Sequence, residues 1–256
     1  MTDETRAIVP TGDAGITLGQ QQIDASDIVP PRIKVVQQMS QEAQGGKAAL
    51  AEPGDFFNTL TRENYGPSLT FIPIITFKQR VFLLRPERRE RADSALASAG
   101  IAELSEGDGL KCRSFDMVQG LGEPGIECFD CPLSKWEGNS PPICTETYNV
   151  AALTELGDVV ILSFAKSGAK TGKRMFSMVR LTAGAPWAKL YKATTREEKN
   201  NLGTFYVPDV ALVPGDTPPP ELLKQAQFWA REFGSRRAIE VTPDEEELPE
   251  PTTADF

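Results

Sequence analysis

Residues 69–85, LTFIPIITFKQRVFLLR, carry the strongest secondary-structure signal in the chain. Two apolar runs rich in Ile and Phe, 69–77 and 80–85, are separated by Lys78-Gln79. Runs of this kind predict β-strands, and their spacing predicts a hairpin. Pro73 interrupts the first run, so this strand is predicted to lie at an edge or to contain a bulge, because proline donates no ladder hydrogen bond.

The sequence on either side of this segment predicts a mainly β fold of the α+β class. Further strands are predicted at 32–37, 146–153, 158–166, 187–193 and 204–212, with a turn at 200–203. Helices are predicted at 87–104 and 170–181, and an amphipathic helix should begin after Thr217 and end at Gly234. The number of short strands favours an OB-like barrel.

These elements suggest an order of domains along the chain. Residues 1–27 are polar and are expected to form a disordered arm. An OB-like domain is predicted over 28–215, with a Gly- and Pro-rich insertion at 105–147. The amphipathic helix occupies 216–235, and an acidic disordered tail is predicted over 236–256.

Composition excludes several classes of function. The 256 residues include no histidine, which removes Ser-His-Asp catalysis and His-containing zinc sites. No stretch reaches the roughly 18 apolar residues of a membrane span. The N-terminus lacks the features of a signal peptide, so we expect a cytoplasmic location and no membrane partner. A nuclease would need clustered acids for two metals, which 1–239 lack, so we expect a non-enzyme.

The charge is unevenly distributed along the chain. The formal net charge is -9, but residues 240–256 contain seven of the 36 acids and no base. The remaining 239 residues therefore carry 29 acids against 27 bases. A nearly neutral body with local basic clusters is compatible with a nucleic-acid partner.

Four cysteines, Cys112, Cys128, Cys131 and Cys144, lie within the 105–147 insertion. In a reducing compartment they favour metal binding or free thiols over disulfides. The Cys128-x-x-Cys131 pair with Cys112 and Cys144 predicts one closed, structural Zn²⁺ site. Free thiols and redox chemistry at the CxxC pair remain the alternatives. Trp136 is expected to pack on this small cysteine lobe.

Basic and aromatic residues cluster at three places. In the predicted strand 187–193, alternation places Trp187, Lys189 and Tyr191 on one face. Such a face can stack on unpaired bases and contact phosphate. The other predicted DNA-binding residues are cations near the helix 170–181 and the hairpin: Lys166, Lys170, Lys173, Arg174, Arg80 and Arg85. Solvated surface charge is the alternative for each cluster.

The C-terminus, DEEELPEPTTADF (244–256), resembles the tails of phage single-stranded DNA-binding proteins, particularly the T7-type, which also end in Phe. The cysteine block is similar to the zinc lobe of the T4-type, although that site includes a histidine. The resemblance implies an OB fold and a tail that competes with DNA for the basic groove. It also implies that Asp255 and Phe256 bind replication or recombination proteins. An ordinary solubilising terminus is the alternative for the tail.

Together these observations predict sequence-independent binding and protection of single-stranded DNA in phage replication, recombination or repair. The protein would then act in the host cytoplasm, with a homodimer among the open oligomeric states. The alternative is a zinc-stabilised protein-protein interaction module of a phage particle or replisome. Oligo-dT binding distinguishes these two functions.

Overall fold

The computed structural model describes residues 29–44, 46, 49–200, 203–235, 239 and 241. The predicted arm 1–27 and the proposed anchor residues Asp255 and Phe256 lie outside these residues. Ile239 and Val241, which fall in the predicted tail, are both buried. The packed body therefore extends beyond residue 236.

The described chain is mainly β, with a mixed open sheet and three α-helices. The helices are α1 (Pro86–Ser98), α2 (Ala169–Leu181) and α3 (Pro220–Ser235). The strands are β1 (Arg32–Val35), β2 (Phe56–Asn58), β3 (Asn64–Gly66), β4 (Ser68–Leu84), β5 (Gly109–Ser114), β6 (Leu121–Gly122), β7 (Thr145–Thr154), β8 (Val159–Ala165), β9 (Tyr191–Asn200) and β10 (Gly203–Leu212). None of the described helices is long and apolar enough to cross a membrane.

The strand order is β10-β9-β4-β7-β8-β1-β2-β3, and β5 pairs with both β4 and β6. β1 and β8 are parallel, with Ile33 opposite Leu162, whereas β9 and β10 form a long antiparallel hairpin. β9 ends at Asn200 and β10 begins opposite it at Gly203, so the chain reverses where the turn at 200–203 was predicted, although residues 201 and 202 lie outside the described part.

The predicted hairpin at 69–85 is wrong, since both runs belong to the single 17-residue strand β4. Lys78-Gln79 is not a favoured turn pair, and the long-range partners of this region keep it extended. Gln79 is buried, and Lys78 pairs with Glu146 at the start of β7. Pro73 lies between the part of β4 that pairs with β9, 68–71, and the part that pairs with β5, 80–84.

The chain divides into two compact units. The first contains the described residues of 1–76, 150–162 and 175–242, and the second those of 77–149 and 163–174. In the second unit, α1 packs on Phe82 and Leu84 of β4 and on Leu133 and Ile143 of the cysteine-bearing segment. The helix predicted at 87–104 is thus confirmed as α1, and the 105–147 segment has a small apolar core.

In the first unit, side-chain hydrogen bonds join the segments next to β1 and β2 to β9 and β10. Gln37, just after β1, donates from Nε2 to the Tyr206 carbonyl at 3.0 Å and accepts from the Tyr206 N–H at 2.9 Å. Thr195 Oγ1 of β9 donates to the Gly54 carbonyl at 2.7 Å. These contacts connect strands that lie far apart in the order, but an OB-like barrel is not shown.

Candidate nucleic-acid interface

The first two turns of α2 are strongly basic. Lys170, Lys173 and Arg174 are exposed, whereas Thr171 and Met175 on the same turns are buried. This arrangement confirms the predicted helix and the shared face of the three cations. Lys166 precedes the helix in a short 3-10 turn and has a φ of 49°, in the left-handed region that non-glycine residues seldom adopt.

The basic start of α2 opposes the usual charge preference of helices. Acidic residues favour a helix N-terminus, where unpaired N–H groups carry partial positive charge. α1 and α3 follow this preference with Glu87 and Glu221, whereas the first turn of α2 consists of Ala, Lys, Thr and Gly. A bound anion would offset the electrostatic cost.

A cavity of about 210 Å³ lies beside this basic segment in the second unit. We name it the Trp136 groove after its most exposed aromatic residue, whose exposed fraction is 67%. Two predicted DNA-binding cations line the groove together with the first residue of α2. The lining of the groove includes Arg80, Ser134, Trp136, Cys144, Glu146, Lys166 and Ala169.

One acid in the Trp136 groove is already neutralised by a neighbouring lysine. Glu146 forms an ion pair with Lys78, whose Nζ lies 4.7 Å from the centre of the Tyr148 ring. Burial favours the neutral carboxyl, but hydrogen bonds from Lys78 and Tyr148 lower the pKa of Glu146 below its ordinary value. Arg80 and Lys166 therefore face a groove whose carboxylate has its own counter-ion.

All four cysteines line a second, smaller cavity of about 20 Å³ in the same unit. Arg80, Ser134 and Cys144 line both cavities. Burial raises the pKa of the Cys144 thiol to about 12, although the charge of Arg80 acts in the opposite direction. As the described side chains stand, no group of three or more His, Cys, Asp or Glu is arranged to hold a metal ion.

The aromatic-basic-aromatic face predicted in the first unit is not formed. Residues 186–188 form a 3-10 turn, and β9 begins only at Tyr191. The Tyr191 side chain is buried, with its ring centre 6.0 Å from that of Phe71. Trp187 and Lys189 are half-buried. Strand alternation does not apply to Trp187, because this residue lies in the 3-10 turn and not in an extended strand.

The remaining predicted cation, Arg85, is half-buried at the residue before α1, outside the lining of the Trp136 groove. Trp136 was not among the predicted DNA-binding residues, because we expected it to pack on the cysteine lobe. The local sequence indicates that Trp136 is exposed. Its neighbours in Ser134-Lys-Trp-Glu-Gly138 are polar or glycine and offer few apolar side chains to cover the ring.

Comparison with protein-family models identifies a related family. A family model described as Pam3 phage gp34-like protein matches residues 4–108 and 130–238, which is most of the chain. Cys112 and Cys128 fall between the two matched segments. No curated protein and no solved structure matches the chain significantly.

Proposed function

Because the chain belongs to the Pam3 phage gp34-like protein family, and is therefore a phage protein, we propose that it binds single-stranded DNA. In this proposal it protects exposed template during phage replication, recombination or repair and performs no catalysis. Binding is largely independent of sequence.

The observation that carries the proposal is the Trp136 groove. Arg80 and Lys166 line it, and Trp136 is 67% exposed at its wall. An exposed indole stacks on a base of any sequence, and neighbouring cations bind the phosphates. A duplex offers no unstacked base to such a ring, so this combination favours single strands.

The start of α2 extends the binding surface. Lys170, Lys173 and Arg174 are exposed in the second unit, and Ala169, the first residue of α2, lines the groove. Phosphates beyond the stacked base would meet these cations and the helix N-terminus. This arrangement offsets the electrostatic cost of placing three bases in the first two turns.

We propose that the mixed sheet curves into an OB-like barrel. The two hydrogen bonds between the Gln37 side chain and the Tyr206 backbone support it, because they connect the segment that follows β1 to β10. OB barrels bind single strands through a sheet face and loops. The acidic tail is proposed to compete with DNA and, through Asp255 and Phe256, to bind replication or recombination proteins.

Exposed apolar side chains on the cysteine-bearing segment favour a second candidate, a protein-protein interaction module. Phe129 is 85% exposed, Val118 58% and Leu121 57%. Large exposed apolar residues in one short segment are typical of docking surfaces. This candidate predicts no affinity for DNA at any salt concentration.

Fluorescence anisotropy with labelled oligo-dT tests the proposal. We expect binding at low salt that weakens as NaCl increases, with a slope of about -2 or steeper on a log-log plot if three phosphates are contacted. A duplex of the same length should bind more weakly. Absence of oligo-dT binding at low salt would overturn the proposal and favour the interaction module.

A further inference from the structure

The four cysteines converge from three separate segments of the second unit. Cys112 lies on β5, Cys128 and Cys131 lie in the loop after β6, and Cys144 directly precedes β7. All four are free thiols, and all four line the 20 Å³ cavity. Residues up to 32 positions apart therefore meet at one small space.

The backbone around the cavity is shaped to receive sulfur atoms. A Cβ placed on Gly120 would lie 2.8 Å from Cys112 Sγ and 2.9 Å from the Ile126 carbonyl, so only glycine fits at this approach. The Ser134 N–H donates to the Cys131 carbonyl at 3.1 Å. Ser134 Oγ donates to the Cys128 and Cys131 carbonyls at 2.7 and 2.9 Å. These bonds hold the Cys128–Ser134 loop closed.

The donor set selects the ion. The lining residues supply sulfur ligands and no carboxylate, and soft thiolates in groups of four select zinc over calcium or magnesium. Arg80 also lines the cavity, and its guanidinium offsets part of the net charge of -2 that one Zn²⁺ and four thiolates carry together.

We propose that Cys112, Cys128, Cys131 and Cys144 bind one structural Zn²⁺ in the second unit. Binding draws the four sulfurs to about 2.3 Å from the ion and closes the tetrahedral site to water. Four protein ligands fill the coordination sphere, so the ion stabilises the fold and leaves no position for a substrate. This inference is independent of the proposed DNA binding.

Metal analysis of the full-length protein, purified without chelators, tests the proposal. We expect about one zinc per chain, and a Co²⁺-substituted protein with the intense visible bands of tetrahedral thiolate coordination. Cys144→Ser should lower the zinc content below about half an equivalent. Ser114→Ala, which changes a hydroxyl at the same cavity, should keep the metal.

If the Cys144→Ser variant fails to fold, titration of the wild-type thiols replaces it. Mercurial modification of all four thiols should release the zinc in proportion to the thiols modified. Less than about half an equivalent of zinc in the wild type, or a Cys128–Cys131 disulfide in the purified protein, would overturn the proposal. A protein that contains zinc but does not bind oligo-dT would overturn only the proposed function and would leave the zinc site in place.

Discussion

Trp136 and Tyr191 each lie in an environment opposite to the one expected from the sequence. Tyr191 was predicted to stack on DNA, yet it is buried against Phe71. Trp136 was expected to pack on the cysteine lobe, yet its side chain is 67% exposed in a groove with Arg80 and Lys166. An aromatic side chain can serve as core or as a stacking surface, and only its neighbours decide which.

At this scale we predict that Trp136→Ala weakens oligo-dT binding by about 1–3 kcal/mol, the usual cost of losing one base-stacking ring. Trp136→Phe should keep most of the affinity, because a smaller ring still stacks. Equilibrium anisotropy at fixed salt measures the change.

Phe129→Ala is the matched control for this prediction. Phe129 is 85% exposed in the same segment but does not line the Trp136 groove. Its removal should leave oligo-dT affinity unchanged. Equal losses in both variants would mean that general apolar contact, and not the groove, accounts for binding.

The position of a helix depends on how closely its backbone can approach neighbouring strands as well as on helix propensity. α2 packs its Gly172 against the strands that carry Tyr148 and Phe164. A Cβ on Gly172 would lie 2.6 Å from the Tyr148 Cβ and 2.8 Å from the Phe164 Cβ. Glycine weakens a helix interior by roughly 1 kcal/mol relative to alanine, so this position retains it for packing.

We therefore predict that Gly172→Ala destabilises the protein by about 1–3 kcal/mol, despite the better helix propensity of alanine. Gly234→Ala in α3 is the control, since its added Cβ meets nothing within 4 Å. It should be neutral or slightly stabilising. Urea midpoints at constant m-value compare the two, and a stabilising Gly172→Ala would refute the packing argument.

Gln37 tests whether β1 and β10 are joined in solution. Gln37→Ala removes both hydrogen bonds to the Tyr206 backbone and should cost about 1–3 kcal/mol of unfolding free energy. Hydrogen exchange at the Tyr206 amide should also accelerate. Gln38→Ala is the control, because this neighbouring glutamine is exposed. Unchanged exchange at Tyr206 would show that the link contributes nothing.

For the whole molecule, the division of charge suggests how binding is regulated. The -9 of the full chain is mostly the -7 of residues 240–256. Val241 is buried, so a deletion that begins at 240 would also disturb packing. Removing 243–256 takes away six of the seven acids and leaves Val241 in place.

We predict that deletion of 243–256 raises oligo-dT affinity by roughly tenfold at low salt, because a competing polyanion is lost, and that the gain shrinks as salt screens the charges. A full-length variant with the six acids changed to Asn or Gln should behave like the deletion. Unchanged or weaker binding in both variants would exclude competition by the tail.

Much of the secondary structure was predictable from local pattern. Apolar periodicity located α3, and β-rich runs located β7 and β8, because such preferences depend on near neighbours in sequence. The two runs at 69–85 were recognised as strand but not as the single strand β4. Whether a chain turns at Lys78-Gln79 depends on partners such as Glu146, which is 68 positions away from Lys78.

By itself, the sequence determined the β-rich class, the absence of histidine, the four cysteines and the separation of acidic tail from nearly neutral body, since these follow from composition and local order. Only the tertiary structure decided that Arg80, Trp136 and Lys166 share one groove and that the four cysteines share one cavity. Long-range packing buries Tyr191 and leaves Trp136 exposed. A local sequence pattern does not determine which distant residues will cover a given ring.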